Sequence, residues 1–133
     1  MNTTIGGTDE AGKLKTVSDS LFEIWSELEE AWLALDRDES LTAKQRDDQR
    51  AKINAQIAEL KLMEAQLSLD RIRALDQSGE LDGLISALQS SVADTKTEVD
   101  RMRKATKVAQ RVSKVLQAAT KAIGFLAKIA ARV

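Results

Sequence analysis

Gly7, Gly12 and Lys13 in GTDEAGKL have the spacing of a loop that wraps the phosphates of a nucleotide. Three features argue against that chemistry. Leu14 stands where a Ser or Thr must hold magnesium, and only MNTTIG lies upstream, in place of the strand such a loop follows. Asp9 and Glu10 would also put carboxylates where phosphate sits. Paired acids, Glu29/Glu30 and Asp47/Asp48, have the oxygens to bind a divalent cation or to move protons. The chain has no His and no Cys, so the commonest general base and the usual nitrogen and sulfur metal ligands are missing. No Glu-x-x-His partner exists for a carboxylate-bridged di-iron site. The reading is a non-enzymatic protein with no catalytic, cofactor-binding or metal site and no small-molecule substrate.

The remaining chemistry is electrostatic. Residues 1–100 carry all 21 acids against 11 bases, while residues 101–133 carry nine bases and no acid. Within that basic section Lys107, Lys114, Lys121 and Lys128 recur at every seventh residue, with Arg111 and Arg132 beside them. On a helix such residues drift slowly along one line. Phe125 falls inside the line. The complementary charge lies near the other end, where Asp19 to Glu39 holds eight acids and one base. Asp19, Glu23, Glu27 and Glu30 form its acidic counter-face, and Trp25 and Trp32 are either aromatic anchors for a partner or the bulky end of a core.

These patterns imply an order of partners. First is a protein contact, the basic face packing on the acidic first helix of the same or a neighbouring chain or docking another helical protein, through Leu116, Ile123, Phe125, Leu126 and Ile129 with the lysines pairing to carboxylates. Second is an anionic membrane surface, with residues 105–133 lying in the headgroup boundary. Third and least supported is nucleic acid, because nine bases without a recognition pattern of aromatic, Asn, Gln or Arg side chains offer only phosphate contacts.

The elements that must position these groups are helices. The chain has no Pro, so nothing obliges a helix to break. Leu14, Val17, Leu21, Ile24, Leu28, Ala31 and Leu35 alternate steps of three and four, a heptad seam over a helix at about 13–36. Thr42 and Gln45 fit a capping box that opens a second helix at 42–77, closed by Gly79. A third helix, 80–132, carries the seam from Leu81 to Met102 and again from Ala105 to Ala130. The steps Val99–Met102–Ala105 are three and three, a stammer where acidic sequence gives way to basic.

Lengths turn this pattern into an architecture. A continuous third helix of some fifty residues would run about 75 Å, against about 53 Å for the second. The expected fold is all-α: an elongated antiparallel three-helix bundle, or helical hairpin, with coiled-coil character and a long overhanging C-terminal helix. Residues from 116 onward would then lack cover, unless the chain bends at Gly124. Residues 1–12, rich in small and polar types, read as a disordered leader before a single domain at 13–133. Elongated helical hairpins of this kind resemble many secretion-system and pore-forming-toxin components in outline. No run of eighteen apolar residues and no secretory signal pattern is present, which gives a cytoplasmic expectation, with non-classical export or association with a membrane surface left open.

Overall fold

The computed structural model describes the backbone of residues 2–130 and the side chains of residues 10–128. Among the described residues there are five α-helices and no strand. They are α1 (Asn2–Ala34), α2 (Ala43–Ala65), α3 (Leu69–Gln77), α4 (Leu81–Lys104) and α5 (Val112–Ala130), with short 3₁₀ turns at Leu35–Arg37 and Val108–Arg111.

Four of these stand side by side. α1 packs on α2 and α4, and α5 packs on α2 and α4, so α1 and α5 face each other diagonally across the core. The short α3 crosses one end, against α1, α4 and α5. Directions follow from side-chain pairs. Glu23 meets Lys96 and Glu30 meets Arg103, one constant offset, so α1 and α4 run parallel. Lys61 lies over Trp25 and Arg50 over Trp32, a falling register that makes α1 and α2 antiparallel. Both connections at the far end, 38–42 and 105–111, are short.

The α1 seam is the spine of the core. Val17, Leu21, Ile24, Leu28, Ala31 and Leu35 are buried there, and they meet Ile53, Ile57 and Leu60 of α2 and Leu88, Val92, Val99 and Met102 of α4. Each large side chain fully buried in this way contributes about 1.5–3 kcal/mol relative to exposure.

Local chemistry sets most helix ends. The Thr42 hydroxyl accepts the Gln45 N–H at 3.1 Å, and the Gln45 amide oxygen accepts the Thr42 N–H at 2.9 Å. That reciprocal box starts α2. Gly79 has φ +80°, the left-handed region only glycine enters without strain. It lets Glu80 N–H reach the Leu75 carbonyl and Gly79 N–H the Asp76 carbonyl, which closes α3.

Two breaks correct the three-helix expectation. The helix foreseen at 42–77 stops at Ala65, because the Ser68 hydroxyl accepts the Arg71 N–H and restarts the chain as α3. The helix foreseen at 80–132 stops at Lys104. Ala105 and Lys107 are extended, and the chain reverses there instead of running straight through the stammer. The buried Asp38 carboxylate accepts Ala109 N–H at 3.2 Å, which satisfies a donor in that turn.

The reversal removes the expected overhang. Val108, Val112, Val115, Ala119, Ala122, Ile123 and Leu126 are buried in the same core as α1. α4 and α5, with 24 and 19 residues, form arms of about 36 and 29 Å. Gly124 lies inside unbroken α5, exposed, and is no hinge. At the other end α1 is helical from Asn2, where composition predicts a disordered leader. Glu10 pairs with Arg73 at 2.8 Å and Lys13 with Asp76 at 2.7 Å, which fasten this end to α3.

Candidate functional site

The lysines of the basic section, Lys107 in the reversal and the other three on α5, and the residues beneath them divide cleanly. Lys107, Lys114, Lys121 and Lys128 are exposed, Arg111 is half-buried, and the side chains of Ile129 and Arg132 lie outside the described residues. Of the residues expected to cover a partner, Ile123 and Leu126 are buried by the chain itself, and Leu116 is half-buried. Phe125 is half-buried at a groove of about 700 Å³ between α3, α4 and α5, walled by Leu75, Leu84 and Ala87. Lys128 Nζ stands 5.8 Å from its ring centroid. The helix therefore turns its apolar line inward and its amines outward.

The acids expected to answer those amines are engaged elsewhere. Glu23 Oε2 is 3.4 Å from Lys96, Glu30 Oε2 is 2.8 Å from Arg103, and Asp19 pairs with Lys15 at 2.8 Å on its own helix. Glu27 faces α4, half-buried. Desolvation raises its carboxyl above the usual range, and the nearby Arg103 and Lys96 pull in the opposite direction. No ion pair of Lys107, Lys114, Lys121 or Lys128 occurs among the described residues. The nearest acids across the α4–α5 groove, Asp94 and Glu98, line a polar cleft with Lys114 and Lys121, where Glu98 is held at 2.7 Å by Arg101. The pairing between α5 and α1 expected within one chain does not form, because the two helices are diagonal.

Trp25 and Trp32 are half-buried at the seam between α1 and α2, packed against the core. Trp25 Nε1 donates to Glu29 at 2.6 Å. Lys61 Nζ lies 4.3 Å from the Trp25 ring centroid and the Arg50 guanidinium 4.0 Å from that of Trp32. Each such contact contributes about 0.5–1 kcal/mol at an exposed site. Both ring faces thus meet a cation within the chain, but only Trp25 has its N–H satisfied; Trp32 Nε1 is buried without a hydrogen-bond partner among the described residues.

The sequence reading overlooks two exposed side chains on the outer face of α1. Phe22 is 62 % exposed and Leu33 is 54 % exposed. Both fall outside the buried seam, and with Ser26 and Glu29 they repeat its alternating spacing on the opposite side. That second alternation was the available signal, hidden among acids. Asp38 is the other residue passed over. It is only 2 % exposed, and it accepts from Ser40 N–H, the Ser40 hydroxyl and Ala109 N–H. Those hydrogen bonds, the Ser40 hydroxyl first, hold its carboxyl below the usual range.

Among the described residues no group of three or more Asp and Glu side chains is arranged to hold a metal ion. No described helix is long and apolar enough to cross a membrane. No family model, curated protein or solved structure matches this chain.

Proposed function

We propose that the chain is a non-enzymatic helical binding protein that docks an acidic partner helix on the lysine row of α5. The observation that carries this reading is the row itself: amines at every seventh residue, exposed, and without ion pairs among the described residues. A seven-residue step matches the charge ladders by which helices pair side by side. Each exposed Lys–carboxylate contact is worth about 0.2–1 kcal/mol, so the docking is weak and sensitive to salt. The test is a titration with a synthetic helical peptide bearing glutamate at every seventh residue. Binding should weaken in high salt and disappear in the triple variant Lys114→Gln, Lys121→Gln, Lys128→Gln. Equal binding by that variant rejects the reading.

A second reading has its own support. α5 is amphipathic, its buried side uses small residues such as Val115, Ala119 and Ala122, and no described ion pair ties it to the other helices. Released from the bundle, it would set Ile123, Leu126 and Phe125 into the acyl boundary of an anionic membrane, with its lysines toward the headgroups. Flotation with anionic vesicles tests it. Protein left wholly in the soluble fraction rejects it. Duplex DNA in the same titration addresses the third expectation: a steep loss of binding with salt is the phosphate signature.

A further inference from the structure

We propose that the acidic partner of the lysine row is the outer face of α1 on a second copy of this chain, and that copies join head to tail into open-ended chains. The inference rests on reading the row as a docking surface and names its occupant.

The two faces match in charge and in spacing. On α1, Phe22, Ser26 and Leu33 form the outward line, flanked by Asp19, Glu23 and Glu30 on one side and Glu29 and Asp36 on the other. The exposed bases on this helix and the 3₁₀ turn after it, which also carries Asp36, are Lys15 and Arg37. On α5, Lys114, Lys121 and Lys128 lie one heptad apart, and so do Glu23 with Glu30 and Glu29 with Asp36. A seven-residue step is about 10.5 Å on any α-helix, so lysines and carboxylates keep register along the contact. Gln117 and Gly124 lie beside the lysine row at the same step. Gly124 is exposed and a Cβ there would meet nothing within 4 Å, which leaves the α5 backbone open to an incoming Phe22 or Leu33.

The ion pairs already present do not bar this contact. Asp19, Glu23 and Glu30 are held in solvent-exposed pairs, and exposed pairs are weak, while Asp36 is already paired with the largely buried Arg50 and would contribute least. A carboxylate also has lone pairs enough for a second cation. Like faces, in contrast, repel: α1 against α1 would crowd ten flanking carboxylates together, and α5 against α5 would crowd lysines.

Position in the fold decides the form of the assembly. α1 and α5 are diagonal, so their outer faces look in opposite directions. A contact between them uses a different patch on each copy and leaves one of each free. Such a heterologous contact grows instead of closing into a pair. The formal net charge of −1 does little to oppose it, since near-neutral proteins lack mutual repulsion.

Sedimentation or light scattering at low salt tests this. The mass should climb with concentration without a plateau and fall to the 14.6 kDa of one chain in high salt. Two variants sharpen it, each checked for unchanged helicity. One carries Lys114→Gln, Lys121→Gln and Lys128→Gln. The other carries Phe22→Ser, Glu29→Gln and Leu33→Ser. Either alone should be monomeric, and an equimolar mixture should stop at two chains, because one supplies only the acidic face and the other only the basic face. A wild-type monomer at every concentration, or a mixture that behaves like its components, overturns the inference. In either case the acidic-peptide titration separates the outcomes. Peptide bound by the monomeric wild type and lost tenfold or more in the lysine variant leaves the docking surface standing without the second copy. No peptide binding at all removes both.

Discussion

α4 and α5 pack on each other, yet they are held to the rest of the bundle by different means. α4 is stitched to α1 by Lys96–Glu23 and Arg103–Glu30 above a line of Leu and Val. α5 buries Val and Ala with Ile123 and Leu126, is bonded to α2 by Gln56 at the Leu116 carbonyl and the Thr120 hydroxyl, and has no described ion pair. Both helices are basic at or near the chain reversal, but among the described residues only α4 is ion-paired to a neighbouring helix. Diagonal placement explains the difference. Glu23 and Glu30 of α1 meet the cations of the helix beside them, and the lysines of α5 are left pointing outward.

Breaking the shared core should have the largest effect. Leu28→Ala removes a fully buried side chain from α1 and should destabilise by about 2–5 kcal/mol in denaturant unfolding. Asp38 sits where the two halves join. Asp38→Ala leaves Ala109 N–H and Ser40 without their acceptor and should cost about 1–3 kcal/mol. Amide exchange should quicken first at 105–111. Its pH dependence has a definite sign. A carboxyl held below its usual value of 3.8 contributes stability above that value and loses it as pH falls toward the lower folded pKa. Wild type should therefore lose this contribution in acid, and the Ala variant should lack that component.

Smaller effects sharpen the contrast. A double-mutant cycle on Glu30 and Arg103 should return a coupling of about 0.2–1 kcal/mol that shrinks in salt. Glu27 should behave in the opposite sense to Asp38. Its raised carboxyl means that ionisation opposes folding once pH exceeds the usual 4.5, so Glu27→Gln should raise the melting temperature at neutral pH and not in acid. The lysine triple variant should leave stability within about 0.5 kcal/mol, since those side chains have no ion-pair partner among the described residues to lose. A large loss there would mean that the row is structural and the comparison is wrong.

What could be read in advance followed the range of the interactions. The α1 seam, the Thr42–Gln45 box and the Gly79 turn depend on residues a few positions apart, and each was visible. The stammer at 99–105 marked the right place, but the reversal there uses no Gly or Pro. It is chosen by distant partners: the core that receives Val112 and Leu126, and the Asp38 carboxylate that receives Ala109. Ser68 was missed as a cap because the apolar pattern runs through it. Phe22 and Leu33 were legible as spacing, while their exposure depended on which face α2 and α4 cover. The lysine row was visible as a row. That no described acid pairs with it required knowing that α1 and α5 lie diagonally.

Site-resolved acetylation of the lysines tests that outcome most directly. In dilute protein Lys114, Lys121 and Lys128 should label as fast as free amines, well ahead of Lys13, which is bound to Asp76 and Asp82. Adding the glutamate-ladder peptide should slow those three together and spare Lys44 and Lys52 on α2. Slow labelling of the three in dilute protein, or protection that falls on α2 instead, would contradict the account.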